Sequence, residues 1–389
     1  MHSTAHLAHE LLLTHLPSQP CAANPGQIVH TVTGDGPTPG GRSIMMDIRI
    51  RPADLESDRD HLLGLFHRHL SVPSDAARFR WLYQAGVCGP ARVWVAVEKD
   101  TGRIVGSAAA YPRRLSFSGR DRLGFVLGDF CIDEKYRSLG PSLQLQRACL
   151  TALQEPSFEF IYDFPSRSMM AIYKRLGMEQ SGELVRWAKP LHVEQRLLRV
   201  IRSKSLARGL GILTSPVLAH RGWRGAKSLC DLALHQGPCG AEFSRLDQEI
   251  HTHAGVLTRR SAEYLNWRYF GNPAARHEIL TAHQAGKLIG YVVSAQGTDD
   301  AWIVDLCSIE DTGVIARLLF AAVQRLRTQG AVTVNLNAGS AHPWNKVFER
   351  AGFQRRERSS IVVVVAPGST ISRAEFEHTW FVMRGERDS

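Results

Sequence analysis

Apolar and polar residues alternate with a two-residue period in "DIRIRPA", from Asp47, and the period then lengthens to that of a helix in "DLESDRDHLLGLFHRHL". The stretch "ARVWVAVEKDTGRIVGSAAAYPRRLSF" reads as two strands turning near Asp100–Gly102. "GFVLGDFCID" is a buried strand, and 141–154 is a helix with Leu145, Ala148, Cys149 and Ala152 on one face. "FEFIYDFP" gives another strand, "SMMAIYKRLGM" a short helix ending at Gly177, and "ELVRWAKPL" a last strand. The order β-α-β-β-β-α-β-α-β describes an α/β domain.

The pattern then starts again. Trp81 and Tyr83 in "FRWLYQ" recur as Trp267 and Tyr269 in "LNWRYF", and "GRIVG" (Gly102–Gly106) recurs as "GKLIG" (Gly286–Gly290). Asp129 in "GDFCI" recurs as Asp305 in "VDLCSI", and Gly177 in "IYKRLGM" as Gly352 in "VFERAGF". Four landmarks in one order, at offsets of 186, 184, 176 and 175 residues, identify a tandem duplication. The expected organisation is a first domain at 46–192, a connector at 193–238, a second domain at 239–370 and a tail at 371–389. The connector is basic and partly helical, with Leu197, Leu198 and Ile201 on an apolar face. Packing on the neighbouring domains is preferred for it over a membrane surface or an acidic partner. Residues 1–45 are rich in proline, among them Pro17, Pro20, Pro25, Pro37 and Pro39, and are expected to be disordered. Their "LAHELLLTHL" lacks a basic flank and a small-residue cleavage site, so no signal peptide is expected.

Composition narrows the class. The 389 residues suffice for two domains, and no apolar run reaches the length of a membrane span. A formal charge of +10 favours an anionic partner: a phosphate-bearing cofactor, nucleic acid or a lipid surface. The excess of 47 basic over 37 acidic residues equally fits a slightly basic enzyme, and no basic run is dense enough to follow an RNA backbone. Seven cysteines without a C-x-x-C pair or framework spacing point to reduced thiols and a cytoplasmic location. His61, His67 and His69, like His251 and His253, lack the Cys, Asp or Glu that would complete a ligand set, so no metal is expected.

The candidate chemistry lies in "EKYRSLGPSLQLQRACL", Glu134–Leu150, which runs from the end of a strand through a glycine turn into a helix. Such a turn points backbone N–H groups outward and the helix dipole adds partial positive charge, which favours a phosphate or pyrophosphate. Gly140 lets the chain fold closely round the anion, and Pro141 suits the first helical turn, where its missing N–H is least costly.

These residues resemble the GNAT superfamily of acyl-CoA-dependent N-acyltransferases, whose acyl-CoA loop reads Arg/Gln-x-x-Gly-x-Gly/Ala between a strand and a long helix. Arg137, Ser138, Leu139, Gly140, Pro141 and Ser142 match, except that Ser142 replaces glycine or alanine. Residues 103–108 fit the letters better but lie mid-strand with no helix behind them. "DFCIDEKYRSLG" looks like the family's strand-then-loop segment, and "SMMAIYKRLGM" is similar to its later motif, with a tyrosine four residues before a glycine. The layout resembles two-domain GNAT-like proteins found with bacterial surface-polysaccharide genes. The fold class so implied is α/β: two tandem GNAT-like domains, each a mixed, mostly antiparallel sheet flanked by helices.

The resemblance also implies roles. Phe130, Cys131, Ile132 and Asp133 would offer backbone groups to the pantetheine arm, and the amides of 138–142 would hold the pyrophosphate beside Arg137, with Pro141 unable to donate. Tyr173 occupies the position of the family's general acid, against the alternative of a tyrosine packing a core helix. Asp129 is the candidate base, although its repetition as Asp305 points to a shared structural role. The second copy has no such loop and carries Phe348 at the tyrosine position, so it is expected to shape the acceptor pocket or the interface between the halves. The implied activity is transfer of an acetyl or longer acyl group from acyl-CoA, the one cosubstrate, to a primary amine of a small molecule or a sugar- or amino-acid-like acceptor. An aminoacyl-tRNA-dependent transferase and a non-catalytic acyl-CoA-binding scaffold are the other readings.

Overall fold

The computed structural model describes residues 48–72, 74–137, 139–191, 230–251, 255–297, 299–309 and 311–387. The segment expected to be disordered and most of the expected connector lie outside the described residues. In the first half, β1 (Ile48–Pro52), β2 (Arg92–Glu98), β3 (Ile104–Phe117) and β4 (Arg120–Ile132) pair antiparallel in succession, and β5 (Phe160–Asp163) joins β4 in parallel. Helix α1 (Arg59–His69) buries Leu62, Leu65 and Phe66 at helical spacing against one face of this sheet. Helix α2 (Ala76–Phe79), N-capped by Asp75, runs on into a single π-helical turn, Arg80–Gln84, which the hydrophobic pattern did not predict. The other face carries α3 (Leu139–Leu150) and α4 (Arg167–Arg175), the latter capped by the Ser166 hydroxyl.

The second half repeats this plan with β7 (Asp231–Leu234), α5 (Ala241–Ile250), β8 (Val256–Thr258) and α6 (Ala262–Leu265), which again continues into a π turn, Asn266–Phe270. Strands β9 (His277–Gln284), β10 (Lys287–Gln296) and β11 (Asp300–Ser308) follow, then α7 (Thr312–Thr328), β12 (Thr333–Gly339), α8 (Asn345–Arg350), β13 (Gln354–Val365) and α9 (Arg373–Thr379). Helix α7 buries Val314, Ile315, Leu318, Leu319, Ala322, Val323 and Leu326, a stripe of period 3.6. Strand β7 pairs with β9, so the second sheet already begins inside the span read as connector. Among the described residues no helix is long and apolar enough to cross a membrane.

The halves share one sheet through an exchange of their last strands. The remaining strand of the first half, β6 (Gly182–Pro190), pairs antiparallel over Leu184–Pro190 with β12 of the second half. In return β13, the last strand of the second half, pairs Val362–Val365 with β5 and its earlier residues with β6. The path is β1-β2-β3-β4-β5-β13-β6-β12-β11-β10-β9-β7, with β8 laid against β3. Backbone hydrogen bonds therefore cross the expected boundary at 192, and Met46–Ser389 is one compact unit.

The segment read as a tail is core. Ser372 and Glu375 form a capping box that starts α9, and Phe376, Trp380, Val382 and Met383 are buried. Beyond α9 the chain bridges Val256 through Trp380 and Ala338 through Met383. Its apolar positions are too few and too unevenly spaced to give a period, which is why the pattern was silent there.

Candidate active site

Strands β4 and β5 are in register only over Gly124–Val126 and Phe160–Tyr162. Beyond Val126 the β4 edge that faces β5 has no strand partner among the described residues, whereas its other edge stays paired to β3 up to Ile132. Asp163, the first β5 residue past the last shared rung, pairs only with Val362 on the far side. The two strands thus part into a wedge bordered by residues 127–132 and Asp163. A bulge assists: Ser107 faces Cys131 and Ala109 faces Gly128, so Asp129 and Phe130 together oppose Ala108, and Asp129 takes a left-handed backbone with φ 46°. Strain of this kind in a non-glycine residue persists only where the surroundings over-determine it.

They do so here. The Asp129 carboxylate receives both terminal nitrogens of Arg78, at 2.8 and 3.0 Å, and the hydroxyls of Tyr83 and Tyr111, at 2.7 and 2.9 Å. Arg78, Tyr83, Tyr111 and Asp129 are all buried. Three of these donors meet Oδ2 and one meets Oδ1, which ties Asp129 into the bulge and favours a structural part over that of the expected base. Asp129 locks the bulge, and the wedge with it. The signal was present in the duplication, because Asp305 is held in the same manner by Arg260 Nε (2.9 Å), the Tyr269 hydroxyl (2.9 Å) and the Leu306 N–H (3.0 Å).

The glycine turn leads from the end of β4 into α3. Arg137 donates to the Ile132 carbonyl (3.1 Å) and lies 3.2 Å from His69 Nδ1, while Asp133 pairs with His69 (2.6 Å) and Arg103 (2.9 Å). Ser138 lies outside the described residues. A Cβ at Gly140 would meet nothing within 4 Å, so the space on that side of the first turn is open. No acidic residue occupies the first turn of α3. Ser142 is buried, and Phe130 is half-buried against the α3 side of the sheet. Cys131 is buried with its thiol pushed up to about 12 by burial, and so is no nucleophile.

Tyr173 reaches the same wedge from α4. Its hydroxyl donates to Asp163 Oδ2 at 2.6 Å and accepts from Gln146 Nε2 of α3 at 3.0 Å. Burial, and then the neighbouring Asp163 charge, push the phenol well above its ordinary value. Burial likewise raises the Asp163 carboxyl to about 6, against the hydrogen bonds from Tyr173 and the Phe164 N–H. Neither Asp163 nor Gln146 was singled out from sequence. Asp163 ends the strand in "FIYDFP" outside any motif, and Gln146 interrupts an otherwise apolar helix face.

The second half builds the same wedge and closes it. Strands β11 and β12 pair from Asp300–Thr333 to Ile303–Leu336 and then part. The C-terminal segment enters the gap: Gly339 N–H donates to the Val382 carbonyl (3.1 Å), and Gly385 approaches so closely that a Cβ would lie 3.2 Å from the Val304 carbonyl. The Asp311 side chain caps α7 through Gly313 N–H (2.7 Å), placing a carboxylate where an anion would otherwise bind. A cleft of about 310 Å³ between the halves, lined by Arg114, Asp121 and Glu263 among others, sits at the hairpin end of β3 and β4, away from the wedge.

Residues 49–181 match the family model described as an acetyltransferase (GNAT) domain. No curated protein matches the chain in sequence. Among solved structures, a GCN5-related N-acetyltransferase from Anabaena variabilis superposes with a TM-score of 0.58 at 13% identity, covering 82% of this chain and 73% of that one. Saccharomyces cerevisiae N-myristoyltransferase with bound myristoyl-CoA gives 0.51 at 11% identity, covering 89% and 90%. A tandem GNAT protein from the clavulanic acid biosynthesis pathway gives 0.50 at 14% identity, covering 83% and 100%. The α/β class and tandem plan expected from sequence accord with these likenesses. Over residues 49–181 the chain thus matches a GNAT acetyltransferase domain, and the solved structures share its fold.

Proposed function

We propose that the first half moves an acyl group, acetyl in the simplest case, from acyl-CoA to a primary amine of a small sugar- or amino-acid-like acceptor in the cytoplasm. The observation that carries this reading is the parted β4–β5 pair, which has a glycine turn and a helix N-terminus at its open end, while the matching gap in the second half is filled by the chain itself. The fit is physical. The unpaired β4 edge at 127–132 offers backbone groups to an amide-bearing pantetheine arm as a further strand would. The first turn of α3 offers N–H groups and open space to a pyrophosphate. Phe130, Cys131, Ile132 and Asp133 border the arm, and Arg137 with the turn through Ser142 holds the phosphates. Acyl-CoA supplies the activated carbonyl and a thiolate leaving group.

The chain supplies position and proton control. The wedge aligns the carbonyl, Asp129 and Arg78 keep the bulge rigid, and Tyr173 stands where a phenol can protonate the departing sulfur. Calorimetric titration of acetyl-CoA, with free CoA as comparison, tests the reading. One site per chain is expected; no heat at millimolar ligand would sink it.

A further inference from the structure

We propose that Asp163 is the proton acceptor of the acyl transfer and that Tyr173, oriented by Gln146, returns the proton to sulfur. The inference rests on the acyl-CoA reading above and replaces Asp129 in the acid–base role.

The argument is positional. Asp163 is the first β5 residue past the last β4–β5 rung, at the apex of the wedge, and it is only partly buried. Asp129 lies on the opposite strand, buried and held by the Arg78 guanidinium and two phenols. Tyr173 points its proton at Asp163 Oδ2 (2.6 Å), while Gln146 donates to the phenol oxygen (3.0 Å) and fixes which way that proton faces. A phenol so committed can release its proton to sulfur only if a proton comes back to it. Asp163 is the group in hydrogen-bond contact that can carry one. The remaining charged or titratable groups that face Asp163 are Cys149 of α3, a thiol that burial pushes above the titrating range, and Arg387 of the C-terminal segment, which acts at longer range. With the carboxyl raised to about 6, Asp163 can hold or release a proton near neutral pH.

The bonds balance. The amine nitrogen forms the C–N bond to the acyl carbon, and the C–S bond breaks with its electron pair leaving on sulfur. The proton lost by nitrogen goes to Asp163, the Tyr173 proton goes to sulfur, and the Asp163 proton restores the phenol. Amide and free thiol result, and both side chains end as they began.

The test reads protons before turnover. Acetyl-CoA is titrated into the full chain at pH 6 in two buffers of different ionisation enthalpy. Acyl-CoA in the wedge desolvates Asp163 further, so binding should take up about half a proton. Asp163→Asn should bind acetyl-CoA within about threefold of the parent and take up none, and Tyr173→Phe, which removes a hydrogen bond that holds the carboxyl down, should move the uptake to higher pH without abolishing it. With any amine the parent acylates, Asp163→Asn should lower kcat about 100-fold with KM for acetyl-CoA unchanged. Binding with equal uptake in Asp163→Asn, or an unchanged kcat, overturns the relay while leaving the acyl-CoA site standing. Failure of the parent to bind acetyl-CoA removes both.

Discussion

Trp81 and Trp267 donate their indole N–H groups to each other's backbone carbonyl, at 2.6 and 2.9 Å, with their rings stacked at 5.4 Å. Each sits in the π turn of its own half, so the pair marks the pseudo-twofold relation between the copies. Arg113 of β3 lies over Trp267, and Arg268 of the second π turn lies over Trp81, so each indole face also carries a guanidinium. Replacing either tryptophan by phenylalanine keeps the stacking but orphans one carbonyl. Each single variant should lose about 1 kcal/mol in denaturant unfolding. The double variant should lose less than the sum, because one geometry supports both bonds. Strict additivity would mean the two bonds form independently.

Arg78 and Asp129 form the buried pair that holds the bulge. Arg78→Met leaves a carboxylate in the core with only two phenols for company, at an expected cost of about 3–5 kcal/mol. Asp129→Asn, isosteric and neutral, removes the negative charge opposite the buried guanidinium instead. Both variants should also weaken acetyl-CoA binding by widening the wedge. A stable, fully binding Asp129→Asn would count against the role assigned to the bulge.

Gly140 separates folding from binding. Because the space beside it is open, Gly140→Trp should melt within a few degrees of the parent while losing at least about tenfold in acetyl-CoA affinity. Retained affinity would place the phosphates elsewhere.

The pH dependence of stability isolates Asp163. Its carboxyl is raised from 3.8 to about 6 in the folded chain, so the stability it contributes is fully present below about pH 4 and is lost as pH rises through 6. His277 and His342 act with the opposite sign. Burial lowers them to about 4 and about 3, so their contribution is lost as pH falls below 6.5. Asp163→Asn should therefore stabilise the chain at pH 8 by on the order of 2 kcal/mol and leave it unchanged at pH 4. No difference at pH 8 would mean that water solvates the carboxylate better than its neighbours suggest.

The strand exchange predicts that the first half does not fold alone. Residues 46–192 lack β13, so the apolar edge of β5 is bare and β6 has no partner. Expressed alone this fragment should aggregate, and co-expression with 193–389 should recover it. A monomeric, cooperative fragment would require β6 to turn back onto β5.

Much of this was legible beforehand, and what was missed has a common physical cause. Strand and helix periods located most elements of the first half, and the repeated landmarks revealed the second copy. Periodicity reports what a segment buries, not against which partner. "IVVVV" announces a strand in β13 but cannot say that its last residues complete the sheet of the other copy. The residues after 370 were silent because irregular chain in a preformed gap needs no period. Asp129 was selected as a carboxylate on the right strand, yet the donors that tie it up, Arg78, Tyr83 and Tyr111, come from three places in the chain. Asp163 was missed because its meaning comes from register: one rung earlier it would lie within the paired sheet.

The exchanged strand sets an order in time. During synthesis β4, α3 and β5 emerge about 200 residues before the Val362–Val365 segment that must flank β5. The wedge therefore cannot be completed until the chain is almost entirely made. Folding is a late, long-range closure, expected to be slow for a protein of this size, and an interrupted translation product should have no acyl-transfer activity.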